Sequence, residues 1–158
     1  LIGWTGKPAS TSQLVDKISL FTARRQTEYH HFLEKSKSCI QRMVDGFHRQ
    51  DLVAIKNEIR YSRDLLKQLG TNSGVNIETK SLSKLCQIAE SFGGAAKTSG
   101  AGGGDCGIVA IDSNSNFGNV LKSWAKNHIE QLPLSVHFID NAKSFKKSVK
   151  HHLSYIHK

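Results

Sequence analysis

The stretch Gly93–Gly107, GGAAKTSGAGGGDCG, runs into Ile108-Val109-Ala110-Ile111 and holds seven of the thirteen glycines in this 158-residue chain. Without Cβ atoms, such a run lets the backbone take φ > 0 and approach a ligand closely, so that its N–H groups converge on an anion. The apolar run after it, bounded by Gly107 and Asp112, reads as a short buried strand. The segment is therefore strand, glycine turn, strand, and a hairpin of this kind sets a sheet at the centre of the fold.

The same context sorts the phosphate-binding loops. A Walker loop requires GxxxxGK[ST], and although Lys97-Thr98 fits its end, Ser91 and Ala96 stand where both glycines belong. Gly102, Gly104 and Gly107 satisfy GxGxxG, but that string is a dinucleotide fingerprint only where it opens a helix. Here it opens a strand, so both readings fail.

Working outward, Leu1–Thr5 reads as a strand and Gly6-Lys7-Pro8 as a turn into a helix beginning between Pro8 and Ser12, with Leu14, Val15, Ile18 and Phe21 on one face. A second helix is expected over Glu28–Phe47, its stripe formed by Tyr29, Phe32, Leu33, Ile40, Met43, Val44 and Phe47. Asp51 caps a third, with Leu52, Ile55, Ile59, Leu66 and Leu69 inward and Gly70 at its end. Thr79 caps a fourth, which Gly93-Gly94 stops. A fifth spans Ser115–Ile129, and Leu134, Val136 and Phe138 alternate as a last strand. Four strands and five helices, with the hairpin central and helices on one face, make an α+β layer architecture.

Composition places the chain among ordinary globular proteins, with 38% hydrophobic and 22% charged residues. No run approaches a membrane span, and no signal peptide is visible. Cys39, Cys86 and Cys106 are odd in number and lack CxxC spacing, so a disulfide framework or zinc site is not expected, and a cytoplasmic protein is. The net charge of +9 is uneven: residues 140–158 carry five lysines against one acid. The body is only mildly basic, and without interleaved aromatics or a finger motif it does not read as nucleic-acid-binding. The tail is read as a solvated basic extension. The opening LIGWTG, apolar and without methionine, reads as the middle of a longer protein.

Two strings carry function together: GWTGKPAST at Gly3–Thr11 and AKTSGAGGGDCGI at Ala96–Ile108. Their order, with a helical stretch between, resembles the C-terminal domain of bacterial-type phosphomevalonate kinases, in the superfamily of galactokinase, homoserine kinase, mevalonate kinase and phosphomevalonate kinase. SGAGGGD marks the superfamily, while GWTG-x-PAST and the cysteine after GGGD make the narrower match. The resemblance covers residues 1–139, leaving 140–158 as a tail of unknown role.

It implies a ferredoxin-like antiparallel sheet with helices on one face plus extra helices, and an active site in a cleft shared with an N-terminal half. The family's PxxxGLGSSA loop is absent here. The implied reaction transfers the γ-phosphoryl group of ATP, with Mg²⁺, to (R)-5-phosphomevalonate, giving 5-diphosphomevalonate for isoprenoid synthesis. Catalytic residues are expected in the missing half, and the chain alone is expected to be inactive and to bind no cofactor tightly.

By the same resemblance, Ser99, Gly100, Ala101 and Gly102 line the cleft, while Gly103, Gly104 and Asp105 shape the turn. Lys97, on the strand face of Ser99, is the expected cation for the acceptor phosphate. Ser10, Thr11 and Ser12 stand at a predicted helix N-terminus, where free N–H groups and hydroxyls favour an anion; a simple helix cap is the competing role. Asp105 reads as a turn residue rather than a Mg²⁺ ligand, and Cys106 as a small core residue. Other kinases of the superfamily, for mevalonate or a sugar, are the alternative, and a non-enzymatic basic interaction module is the last.

Overall fold

The computed structural model describes residues 1–100, 102–115 and 117–133. Along the chain run β1 (Ile2–Trp4), α1 (Thr11–Arg24), α2 (Gln26–His48), α3 (Leu52–Ser73), α4 (Lys80–Ser91), β2 (Ala95–Thr98), β3 (Cys106–Ala110), α5 (Phe117–Ala125) and β4 (Glu130–Leu132). The strands form one antiparallel sheet in the order β2-β3-β1-β4. This is the split arrangement of ferredoxin-like folds, in which β3 returns between β1 and β2. The expected α+β class and sheet are borne out.

Two glycines decide how the helices sit on the sheet. Gly3 of β1 faces Gly107 of β3 across the ladder, and both lie beneath Leu85 of α4. A Cβ at Gly3 would stand 2.8 Å from Leu85 Cδ1 and 2.9 Å from Trp124 Cζ3; one at Gly107 would stand 2.6 Å from Leu85 Cδ2. Leu85 and Trp124 are fully buried there with Cys86, Ala89, Ala96, Val109, Val120 and Ile129. The indole N–H of Trp124 donates to the Leu85 carbonyl at 3.2 Å, so the ring carries no unsatisfied polar atom into the core. At the β2 end, Ile55 and Ile59 of α3 cover Ala95.

Several boundaries differ from expectation. Gly70 does not end α3; the helix runs to Ser73 and stops at Gly74, which takes the left-handed conformation (φ 70°). Gly70 is needed instead for close approach, because a Cβ there would lie 2.8 Å from the Val75 carbonyl oxygen. α5 ends at Ala125, since His128 (φ 57°) turns the chain and returns Ile129 to the core. The strand beside β1 is accordingly Glu130–Leu132; the expected strand Leu134–Phe138 and the tail lie outside the described residues.

α2 departs most from its predicted stripe. Leu33, Ile40, Val44 and Phe47 are exposed, while Cys39 and Gly46 are buried. A Cβ at Gly46 would meet Ile55 Cγ1 at 3.1 Å, and the Cys39 thiol donates to the Glu58 carbonyl at 3.3 Å. Small residues let α2 and α3 pack closely, and that turns the large apolar ones outward. Val15 of α1 is likewise exposed, and Cys106 is half-exposed rather than a core residue.

Arg63 of α3 is buried between two carboxylates. It forks onto Glu78 at 2.7 and 2.8 Å and reaches Glu90 at 2.8 Å. Burial opposes ionisation of Glu78, but the Arg63 hydrogen bonds and charge prevail, holding its carboxyl below the ordinary 4.5. A carboxyl whose folded value is depressed adds stability that is fully present above its unfolded value and is lost as pH falls through the folded one. Urea midpoints should therefore fall on acidification below pH 4.5, and Glu78→Gln should flatten that fall while lowering stability at pH 7. An unchanged acid limb in the variant would refute this account.

The Gly107 contact gives a second test. Gly107→Ala should destabilise by about 1–3 kcal/mol through overpacking, and Leu85→Ala by about 2–5 kcal/mol through a cavity. Because the two act on the same space, the double variant should be less destabilised than their sum, by about 1 kcal/mol or more in urea denaturation.

Candidate functional site

The two strings singled out in the sequence meet at one edge of the sheet. The β1–β3 register sets Trp4 opposite Cys106, so the segment leaving β1 runs directly past the turn that enters β3. There the backbone of Asp105 is held from both sides. Its carbonyl accepts the Thr5 N–H and the Thr5 hydroxyl, each at 2.9 Å, and its N–H donates to the Lys7 carbonyl at 2.7 Å.

The glycine turn, between Thr98 and Cys106, needs left-handed backbone at four described positions: Gly102 (φ 85°), Gly103 (φ 80°), Gly104 (φ 137°) and Asp105 (φ 64°). Its N–H groups divide into two sets. Ser99, Gly103 and Asp105 donate to the carbonyls of Cys106, Ile77 and Lys7 at 2.9, 2.7 and 2.7 Å. Those of Gly100, Gly102 and Gly104 have no acceptor among the described residues. The first set fixes the loop; the second faces no backbone carbonyl among the described residues.

Neighbours press on the turn too closely for side chains. A Cβ at Gly102 would overlap the Ile77 carbonyl oxygen, one at Gly103 would stand 2.8 Å from Leu14 Cδ1, and one at Gly104 would stand 3.0 Å from the Lys7 carbonyl oxygen. Leu14 belongs to α1, so the helix that starts at Thr11 packs directly against the glycine turn.

Ser10 is the N-cap residue of α1, with extended backbone (φ −92°, ψ 94°), yet its side chain caps no N–H. Asp51 and Thr79, by contrast, accept from Ala54 and Leu82 at the starts of α3 and α4. The Ser10 and Ser12 hydroxyls lie 3.4 Å apart, and Ser10, Thr11 and Ser12 are all exposed. Hydroxyls and first-turn N–H groups thus stand open together at the positive end of a helix dipole.

Lys97 is half-buried on β2, opposite Ile108, and its ammonium donates to the Thr98 carbonyl at 2.7 Å, at the root of the turn. Burial pushes its pKa below the usual 10.5. Ser99 and Gly100 are exposed, and Ala101 lies outside the described residues. Asp105 Oδ1 accepts the Cys106 thiol at 3.5 Å. Among the described residues no group of three or more His, Cys, Asp or Glu is placed to hold a metal ion. A cleft of about 500 Å³, bounded by the turn's neighbours Leu14 and Ile77, is mostly apolar, with Ser19, Thr22 and Tyr29 its polar residues, and no cation lines it to meet a phosphate.

Sequence reasoning missed Thr5, Lys7, Leu14 and Ile77. Thr5 and Lys7 lie inside the first string and were legible as neighbours of it; Ile77 contributes a carbonyl, which no side-chain pattern announces.

Residues 43–130 match the family described as GHMP kinases C terminal. The phosphomevalonate kinase of Streptomyces sp. (strain CL190) is 38% identical over 136 residues, covering 85% of this chain and 36% of that protein. Among solved structures, a Listeria innocua protein aligns with a TM-score of 0.83 at 38% identity, over 87% of this chain and 39% of its own. The Streptococcus pneumoniae phosphomevalonate kinase in complex with phosphomevalonate and AMPPNP aligns with a TM-score of 0.72 at 30% identity, over 84% of this chain and 37% of that one. The chain thus spans little more than a third of these relatives, and it belongs to the GHMP kinase family as that family's C-terminal domain.

Proposed function

We propose that this chain is the substrate-side domain of a phosphomevalonate kinase, with residues 1–139 forming the domain and 140–158 a basic tail. The observation that carries the reading is the convergence of the uncapped start of α1 on the glycine turn, through Leu14 on Gly103 and Lys7 on Asp105. The relatives of that name, one of them solved with phosphomevalonate and an ATP analogue, support it.

In this reading Ser10, Thr11 and Ser12 receive the phosphate of phosphomevalonate, and Gly100, Ala101 and Gly102, with Ser99, line the place where acceptor and γ-phosphate meet. An acceptor phosphate is already largely ionised at neutral pH, so the chemistry asks for positioning and charge stabilisation rather than a strong base. Fixed backbone amides supply that without reorganising during the reaction. Lys97 adds positive charge at the root of the turn. Gly103, Gly104 and Asp105 give the turn its shape. ATP and Mg²⁺ are expected with the complete enzyme, their principal contacts in an N-terminal half. Three free cysteines, and no helix among the described residues long and apolar enough to cross a membrane, accord with a cytoplasmic enzyme.

A second reading, a mevalonate kinase, is favoured by the Thermococcus sibiricus enzyme of that name, 30% identical over 132 residues. A chain extended by an N-terminal half and assayed for ADP release separates them: phosphomevalonate should support turnover and mevalonate should not. The reverse preference would replace the first reading by the second, and no turnover with either would remove both. The 158-residue chain alone should release no ADP.

Ser10→Ala in the complete enzyme should raise KM for phosphomevalonate about tenfold, the cost of one charge-assisted hydrogen bond, with no loss of thermal stability, because Ser10 caps nothing. A fall in Tm with unchanged KM would make Ser10 a helix cap only. Gly102→Ala should lower kcat/KM about 100-fold, as for a displaced oxyanion donor, since its Cβ overlaps the Ile77 carbonyl.

A further inference from the structure

Between α3 and α4 lies a short connection, Val75–Glu78, that the proposed chemistry leaves unused. It carries the Ile77 carbonyl, which receives the Gly103 N–H at 2.7 Å and against which Gly102 is packed. The connection is tied at its start, where the Val75 N–H donates to the Gly70 carbonyl at 3.0 Å and the Ile77 N–H to the Val75 carbonyl at 2.9 Å. At its end, Glu78 is gripped by both prongs of the buried Arg63 guanidinium at 2.7 and 2.8 Å.

We infer that Arg63 and Glu78 are positioning residues for the glycine turn, acting through the Ile77 carbonyl to set where the Gly102 and Gly103 amides stand. A planar fork closed on a carboxylate fixes orientation as well as distance, which a single contact does not. Glu78 is joined to Ile77 through the peptide bond that carries the accepting carbonyl, and the turn is held on its other side as well, with Leu14 packed close to Gly103 and the Asp105 N–H bonded to Lys7. The catalytic meaning of this coupling rests on the function proposed above; the coupling itself does not.

Arg63 supplies its own control. It also binds Glu90 of α4, at 2.8 Å to each oxygen, and among the described residues no hydrogen bond joins the Glu90 side chain to the turn. Glu78→Gln and Glu90→Gln each weaken one arm of the same buried arginine, but only the first arm leads to Ile77. Amide exchange of Gly103 in the 158-residue chain, read against the core amide of Leu85, reports local opening apart from global stability. Glu78→Gln should speed Gly103 about tenfold relative to Leu85, while Glu90→Gln should leave the ratio at its wild-type value. Should Glu78→Gln not fold, Glu78→Asp, which keeps the charge and withdraws the carboxylate, gives the same comparison. Any result in which the two positions move the ratio alike overturns the proposal.

In the complete kinase the same pair should split in activity, Glu78→Gln losing about tenfold in kcat/KM through misplacement and Glu90→Gln losing little. Selective exchange at Gly103 without that split would leave the coupling standing and remove phosphoryl transfer from the turn. Loss of the exchange selectivity would remove the coupling whatever the kinase does.

Discussion

One leucine resting on two bare strands sets the geometry of this domain. Leu85 occupies the space left by Gly3 and Gly107, which face each other across β1 and β3, so α4 comes closer to the sheet than side chains there would allow. The register that aligns these glycines also aligns the residues next to them. Trp4 falls opposite Cys106, Thr5 reaches the Asp105 carbonyl, and Lys7 takes the Asp105 N–H. The packing of the core and the assembly of the site are thus one constraint, because a one-residue slip would turn every side chain of β1 to the other face.

The polar groups of the site are mostly main-chain, and that suits the task assigned to them. Amides fixed by the fold do not titrate, whereas the cysteines of the domain are tuned away from reactivity: burial raises the Cys39 and Cys86 thiols to about 11 and about 12. Cys106, flanked by Asp105, is also raised, chiefly by burial. None of the three is poised as a nucleophile. What varies with pH in this domain is its stability, through carboxylates such as Glu78 and Glu58, the latter held low first by its hydrogen bonds from Arg42.

Much of the fold was legible in the sequence because its signals are local. The caps Asp51 and Thr79, the stripe of α3 and the glycine turn were each read from residues within a few positions of one another, and all stand in the structure. The misreadings share a cause, which is close packing that residue type alone does not announce. Gly70 looked like a terminator but serves Val75; the large apolar residues of α2 looked like its inner face until Cys39 and Gly46 took that role against α3. At the site, the two strings announced themselves by composition, yet the carbonyl of Ile77 carries no sequence signature, nor does the ion pair that steadies it.

The pairing of β1 with β3 also orders events in time. The Thr5 hydroxyl and the Asp105 carbonyl are separated by 100 residues, while α2 and α3 meet across a single turn. Contacts between near neighbours in sequence form early, and those that must close a long loop form late. During synthesis, at about 5–20 residues per second, the helical hairpin is complete well before the second string has left the ribosome. The edge where the two strings meet is then among the last parts of the domain to form, and until it does β1 lacks its neighbours β3 and β4 of this sheet.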